Sequence, residues 1–570
     1  MSGTGDAGAG GPSRRGLLWR LGGFACVGAT GPGRAGRWAA GGLVAALAAG
    51  LGSDSAGRKA TAAAGGVSQG DEGQATRGDR GNPGDPGDSG DPDDSLVGPD
   101  VLWEWVERMA AFGPRLPGSP AHRRHIDDLD TRLRDLGLAV SRQRVPLDRW
   151  LARTWALRIV DARGATTVVP VAAYRPCSGE TSSRGVTGPV VDVGAGAEED
   201  YRARPAVAGA IVLADGGIAR LRADVLAGLA LDVAPPNARA RFATEDYTRV
   251  WLGAPPQPDL TLARRRGAIA MIEILDLPAA LAAGQYTPHQ QAHAGLPTLH
   301  VDRDQGAHLR ALLAAGPVQA TVMLTAQRDG TDVDYLLARQ PASHAGATGG
   351  GGVVGGGGVV GGGGVVGGDG DTVLVATHTD GQNAVEENGG PVLLALAERL
   401  ARHPPPPGGR DALFLFAPAH MAADSATIKT DAFLRARPSL LASINAALVA
   451  EHLGALAWDD QDGTMPYGPR GRSEPAVVAV GNSDALRGLA WAAARAHGLD
   501  RIALMPPYED GLYGEGTFPY RLGLPTVAFL SGPAYLLQVG PGDQLDKLDR
   551  HLLHRQATFL ADLLDRMLRR

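Results

Sequence analysis

The chain has 570 residues, of which 82 are glycine and 40 proline, so much of its length lacks core-forming side chains and the folded part is nearer two domains than four. Its formal net charge is -6 and its arginines are scattered among acids, which excludes a basic stripe for nucleic acid. Two cysteines, Cys26 and Cys177, are too few for a zinc site of four thiolates.

Residues 1–52 open with Ser13–Arg14–Arg15–Gly16–Leu17–Leu18 before a weakly apolar stretch that runs to Leu51. Twin arginines in that setting resemble a twin-arginine export signal, so the expectation is an exported protein, secreted or held at the cell envelope. Membrane association is expected only through this segment, because no later run approaches the roughly twenty apolar residues of a span. Residues 53–98 are Gly, Asp, Ser and Pro with almost no large apolar side chains, an acidic linker that cannot bury enough surface to order itself.

Order is expected to begin near Val101, where Leu102, Trp103, Val106 and Met109 follow helical spacing. The turn Gly113–Pro120 precedes a second amphipathic helix, Ala121–Leu136, ended by Gly137. Residues 99–154 are read as the first part of the main domain. From 155 to 318 short β runs alternate with helical pieces. Leu262–Arg266 leads through Gly267–Ala268 into the buried run Ile269–Ile274, and Gly295–Val301 precedes the helical Gln305–Leu313. This order resembles the protease-associated domain, a small module inserted in exopeptidases. His289 and His293 have i,i+4 spacing, but Gly295–Leu296–Pro297 follows at once and no acid lies nearby, so they are not taken as metal ligands.

Residues 319–570 are read as the second part of the main domain, interrupted at 349–368 by a Gly/Val run read as a flexible surface insertion. After it, Val373–Ala376 is an apolar run ending in Thr377–His378–Thr379–Asp380, followed by Glu386–Glu387–Asn388–Gly389–Gly390 and a helical run to Arg402. That is how a buried parallel strand delivers metal ligands to its C-terminal edge. Further strands are expected at Ala412–Ala417, Ala446–Ala450, Ala476–Val480 and Thr526–Leu530. Helices are expected at Val392–Arg402, Thr430–Arg437, Asp484–Ala496 and Arg550–Leu568. The fold class is α/β, a mostly parallel sheet flanked by helices, with a smaller inserted α/β domain.

Taken together, Gly113–Pro114–Arg115–Leu116–x–Gly118–Ser119–Pro120, His378-x-Asp380, the acid–Asn–Gly turn, the strand leading to His420, Ala450–Glu451–His452–Leu453–Gly454 and Asp543–x–x–Asp546–Lys547–x–Asp549 resemble the di-zinc aminopeptidase family, peptidase family twenty-eight. The resemblance covers about residues 99 to 570. It implies zinc at the sheet's C-terminal edge and a peptide or small amide substrate. It places metal ligands at His378, Glu387 (Glu386 being the adjacent alternative) and Glu451, with Asp380 orienting the His378 imidazole. Where the family has its catalytic glutamate this chain has His420, a candidate base or ligand. The family's other carboxylate ligand falls on Met421 and its last histidine on Val539, neither of which ligates zinc there. His452 and Glu515 are additional candidates near the site. The resemblance therefore implies a centre reduced to at most one zinc ion. Two readings stay open: a one-metal hydrolase of aminopeptidase type, and an inactive homologue that binds peptide or protein. Acyl transfer, as in cyclotransferase relatives, is a third.

Overall fold

The computed structural model describes residues 96–569 except 205–206, 252–257, 290, 344–371, 424–425, 462 and 509–510. The export-signal-like segment, residues 53–95 of the linker and the Gly/Val insertion lie outside the described residues. Leu96, five residues before the start that the helical spacing suggests, is already buried against the main core.

Helix α1 (Pro99–Ala110) carries proline in its first turn, and α2 (Pro120–Asp135) is capped by Ser119, whose hydroxyl accepts from the His122 amide at 3.1 Å. Strand β1 (Ala139–Val160) follows. The smaller sheet is built from β2 (Val186–Asp192), β3 (Ile211–Asp215), β4 (Ala270–Ile274) and β5 (Thr298–Val301), mutually parallel and followed by helix α3 (Arg303–Ala315). Strand β6 (Gln319–Gln340) returns antiparallel along all of β1, from Ala139↔Arg339 to Val160↔Gln319.

This two-stranded ribbon was not anticipated, and it runs straight through the change of pattern at residue 155. One end of β6 pairs with β2 of the smaller sheet, and the other pairs with the main sheet, so the hydrogen-bonded order is continuous across both. Nor do all residues between 155 and 318 lie on the smaller sheet. Ala223, Leu226 and Phe242 pack on a face of the main sheet, and Asp232–Ala234 extends its far edge.

The main sheet contains β7 (Thr372–His378), β8 (Asp411–Ala417), β9 (Ile444–Ala450), β10 (Ala476–Gly481), β11 (Ile502–Met505) and β12 (Thr526–Ser531). Its strand order is β6-β8-β7-β9-β12-β10-β11, in which β8, β7, β9 and β12 are parallel and β6, β10 and β11 run against them. Val373 and Val375 point to one core, Leu374 and Ala376 to the other. A strand buried on both faces reads as an unbroken apolar run, which explains why β7 lacks polar alternation. The first core is closed by α1 together with α5 (Gly389–Arg402), α6 (Asp484–Ala496) and α7 (Arg550–Leu568), through residues such as Leu102, Leu393, Ala490 and Phe559. A one-turn helix, α4 (Ala384–Glu387), joins β7 to α5.

Candidate metal centre

Because β8, β7 and β9 are neighbouring parallel strands, their C-terminal ends lie side by side. His378 is the last residue of β7, His420 stands three residues beyond β8, and Glu451 and His452 follow β9 directly. Asn383 then places the acids of α4. Its side-chain oxygen accepts from the Val385 and Glu386 amides at 3.0 and 3.2 Å, and its Nδ2 donates to the carbonyls of Leu536 and Gln538 at 2.8 and 3.0 Å. Glycine is required at 389, since a Cβ there would lie 2.0 Å from Thr377 Oγ1 and 2.5 Å from the Ala450 carbonyl. Asn388, one residue earlier, both donates to and accepts from the Leu453 backbone, at 2.7 and 2.8 Å.

The rings of His378 and His420 stack 4.1 Å apart at 19°, and that of His452 lies edge-on to His378 at 5.8 Å. His378 Nδ1 donates to the Asp380 carbonyl at 3.1 Å, so in the neutral ring Nε2 carries the lone pair, and Nε2 faces Glu451 Oε2 at 3.5 Å and Glu386 Oε1 at 3.8 Å. His420 Nδ1 meets Glu515 Oε1 at 2.7 Å, and its Nε2 lies 3.7 Å from the same Glu386 oxygen. His452 Nδ1 donates to the Ser531 carbonyl at 2.8 Å, turning its Nε2 toward Glu451 at 3.7 Å. Thr430 donates to Glu515, while the Glu515 amide donates to Glu451 Oε1 at 2.7 Å. Lys429 braces the loop by donating to the carbonyls of Ala419 and His420 at 2.6 and 2.8 Å.

Two expected residues take different partners from those anticipated. Glu387 is ion-paired to Arg115, and it is Glu386 that faces the histidines. Asp380 bonds no imidazole through its carboxylate, which accepts from the His420 and Met421 amides at 2.8 and 2.7 Å and so fixes the loop that carries His420. Met421 is buried in the core and Val539 packs against it, so neither position supplies a ligand atom. His289 and His293 are not on a helix; Gln291 and His293 have positive φ, and the exposed His289 ring stands 6.4 Å from His420. Arg115, Asp543 and Lys429 were not singled out as site residues. The first two lay inside the quoted motifs, but nothing in the motifs pairs them.

Electrostatics follow from burial, since none of His378, Glu386, Glu387, His420, Glu451, His452 and Glu515 is more than 5 % exposed. Burial lifts Glu386 well above the carboxylate range and Glu387 to about 8, the latter against the pull of Arg115. Burial drives His420 well below the usual imidazole value and His452 to about 3. Burial also opposes protonation of His378, yet Glu386 and Glu451 outweigh it and hold that imidazole well above its ordinary value.

Among the described residues two groups could hold a metal ion, His378–Glu386–His420 and His378–Glu451–His452, with ligand atoms inside each group within 4.8 Å of one another. His378 Nε2, both Glu386 oxygens, Glu387 Oε1 and Glu451 Oε2 are buried with no hydrogen-bond partner. Buried polar atoms are ordinarily paired, so this convergence of orphaned acceptors fits a cation.

No family model and no curated protein matches the chain. Among solved structures, its fold is similar to that of a zinc aminopeptidase from Bacillus subtilis, with a TM-score of 0.54 at 15% identity over 83% of this chain and 95% of that one. It is similar also to an aminopeptidase from Aneurinibacillus sp. strain AM-1, with a TM-score of 0.53, 15% identity and the same coverage. A peptidase M28 precursor from Shewanella amazonensis gives a TM-score of 0.53 at 15% identity, over 83% of this chain and 98% of its own. At this identity the likeness is one of fold, and it is the zinc exopeptidase-like fold that the motifs imply.

Proposed function

We propose that the chain is an exported, metal-dependent peptidase-like hydrolase of aminopeptidase type, with a centre that holds one zinc ion. The observation that carries this reading is the convergence of His378, Glu386 and His420, whose ligand atoms meet within 4.8 Å in a buried site. Both candidate groups need His378 Nε2, and an imidazole nitrogen has one lone pair, so they are alternative seats for a single ion. The seat with His420 is favoured because the Glu515 carboxylate holds Nδ1, which directs the Nε2 lone pair inward and strengthens it as a ligand. Two histidines and a glutamate with a position open is a ligand set that catalytic zinc uses. When bound, the ion supplies an acidified water and polarisation of an amide carbonyl.

Glu451 is the group placed to handle the proton. Its Oε1 is anchored by the Glu515 amide at 2.7 Å, and its buried Oε2 has no partner, so Oε2 can accept a proton from water and return it to the leaving amine. His452, oriented by the Ser531 carbonyl, faces that oxygen at 3.7 Å. The substrate class proposed is a peptide or small amide, and the smaller sheet with its helices is proposed as a protease-associated-like module. Export rests on the twin-arginine pattern, and a reporter fused behind residues 1–52 would stay in the cytoplasm if that pattern were inert.

The test is metal content and amide cleavage together. Protein purified without chelator should carry about one zinc per chain, lost in His378→Ala, and should release the N-terminal residue of short peptides. Absence of bound metal at any divalent concentration would remove the hydrolase reading. The second reading, a peptide-binding homologue without activity, is favoured by the near-complete burial of the centre, with His420 at 4% and Glu451 at 1% exposure. It predicts saturable peptide binding with no cleavage in zinc-loaded protein.

A further inference from the structure

Arg115 lies in the turn between α1 and α2, and its side chain has no solvent exposure. Every arm of its guanidinium is engaged. Nε donates to Glu387 Oε2, Nη2 to Asp543 Oδ2 at 2.6 Å, and Nη1 to the carbonyls of Met109 and Gly113 at 3.1 and 2.6 Å. Its own carbonyl accepts from the Gly381 amide at 3.1 Å, which ties this turn to the loop after β7. Asp543 reaches the guanidinium from a left-handed backbone, with φ of 70°, 55° and 61° at Gly542, Asp543 and Gln544. Two consecutive non-glycine residues in that region are costly and persist where surrounding contacts hold them, and here the buried Arg115–Asp543 bond is such a contact.

We infer that Arg115 is the resident cation of Glu387, and that this ion pair, rather than a metal ion, fills the second half of the centre. The inference rests on the one-ion reading above and deepens it. Glu387 stands where the motifs place a metal carboxylate, yet the guanidinium already holds its Oε2. Glu387 is left with Oε1 alone unpartnered, whereas Glu386, the neighbouring acid, keeps both oxygens without a partner. Withdrawing Glu387 toward a metal would leave Arg115 buried with Asp543 as its remaining acid, and a cation entering beside the guanidinium would meet its charge. Met421 and Val539 offer such an ion no further ligand.

The experiment compares Glu387→Gln, Arg115→Met, the double variant and Glu386→Gln, using zinc affinity by chelator competition and thermal melting of metal-free protein. Glu387→Gln should bind zinc within about threefold of the unmodified chain, whereas Glu386→Gln should weaken it by about tenfold or more. Each of Glu387→Gln and Arg115→Met should lower the melting temperature, and the double variant should recover at least about half of the summed loss, because a matched pair couples. A loss of about tenfold or more in zinc affinity in Glu387→Gln, or melting losses that simply add, would overturn the inference. If Arg115→Met does not fold, Arg115→Lys takes its place in the same cycle, since it keeps the charge and loses the fork. A chain that binds no zinc at all would remove the proposed function, while the melts still decide the pairing of Arg115 with Glu387.

Discussion

Glu515 and His420 meet carboxylate to imidazole at 2.7 Å, and the amide of the same glutamate holds Glu451 at 2.7 Å. One residue thereby sets the orientation of a candidate ligand and of the candidate base. Replacing Glu515 with glutamine keeps a hydrogen-bond acceptor but removes the charge, and should weaken zinc binding by about tenfold; alanine should weaken it by about 100-fold. Competition against a chromogenic chelator measures both. Affinity unchanged in Glu515→Ala would place Glu515 outside the centre.

Asn388 is a structural clamp. Its amide group pairs with both the N–H and the C=O of Leu453, so alanine there leaves two buried backbone groups without partners. The expected cost is on the order of 3 kcal/mol. Urea denaturation of metal-free protein measures it, and a change below about 1 kcal/mol would mean that water or backbone movement satisfies both groups.

How much of the centre could be read beforehand depends on the kind of information each residue carries. His378 was legible because an apolar run buried on both faces ends in it, and Glu451 because a second such run does the same. The choice between Glu386 and Glu387 was not legible. The two sit in one helical turn, where adjacent side chains point about 100° apart, and motif spacing cannot say which one faces inward. Arg115 and Asp543 are 428 residues apart, so their contact exists only in the folded chain. The β1–β6 ribbon escaped because much of it is polar on both faces. Its alternation is replaced by cross-strand pairs such as Arg142–Asp334 at 2.9 Å and Arg149–Asp329 at 2.6 Å.

His122 makes the fold acid-sensitive. Its Nδ1 accepts from the Gly118 amide at 3.1 Å and its Nε2 donates to Thr379 Oγ1 at 3.0 Å, so the packed form is neutral. Burial, then the charges of Arg115, Arg123 and His378, lower its pKa to about 3 from 6.5. Below pH 6.5 the unfolded chain takes up a proton that the folded one refuses until about pH 3, so stability is lost as pH falls through that window. The full loss is on the order of 5 kcal/mol, at about 1.4 kcal/mol per pH unit. Denaturant midpoints between pH 7 and pH 4 should fall more steeply in the unmodified chain than in His122→Asn. Equal slopes would show that His122 protonates without unfolding.

Gly284 links the smaller unit to the centre. Its φ is 74°, and a Cβ there would lie 1.9 Å from the Val539 carbonyl oxygen. The Val539 amide donates back to the Gly284 carbonyl at 2.8 Å, and Gln538 Nε2 donates to the carbonyls of Ala280, Leu281 and Ala283 at 2.9 Å each. The Gln538 carbonyl in turn accepts from Asn383, the residue that caps the turn bearing Glu386. Alanine at 284 must therefore push a backbone carbonyl aside while adopting a left-handed φ, at a cost of about 3 kcal/mol. Gly488 supplies the contrast, for it lies within α6 with nothing inside 4 Å of the place a Cβ would occupy, and alanine there should stabilise by about 0.5 to 1 kcal/mol. Hydrogen exchange should speed up at the Val539 and Tyr286 amides in Gly284→Ala, and zinc should pass to a chelator faster, because the displaced loop no longer holds Asn383. Faster exchange without faster zinc release would separate the strap from the centre and leave it a purely structural contact.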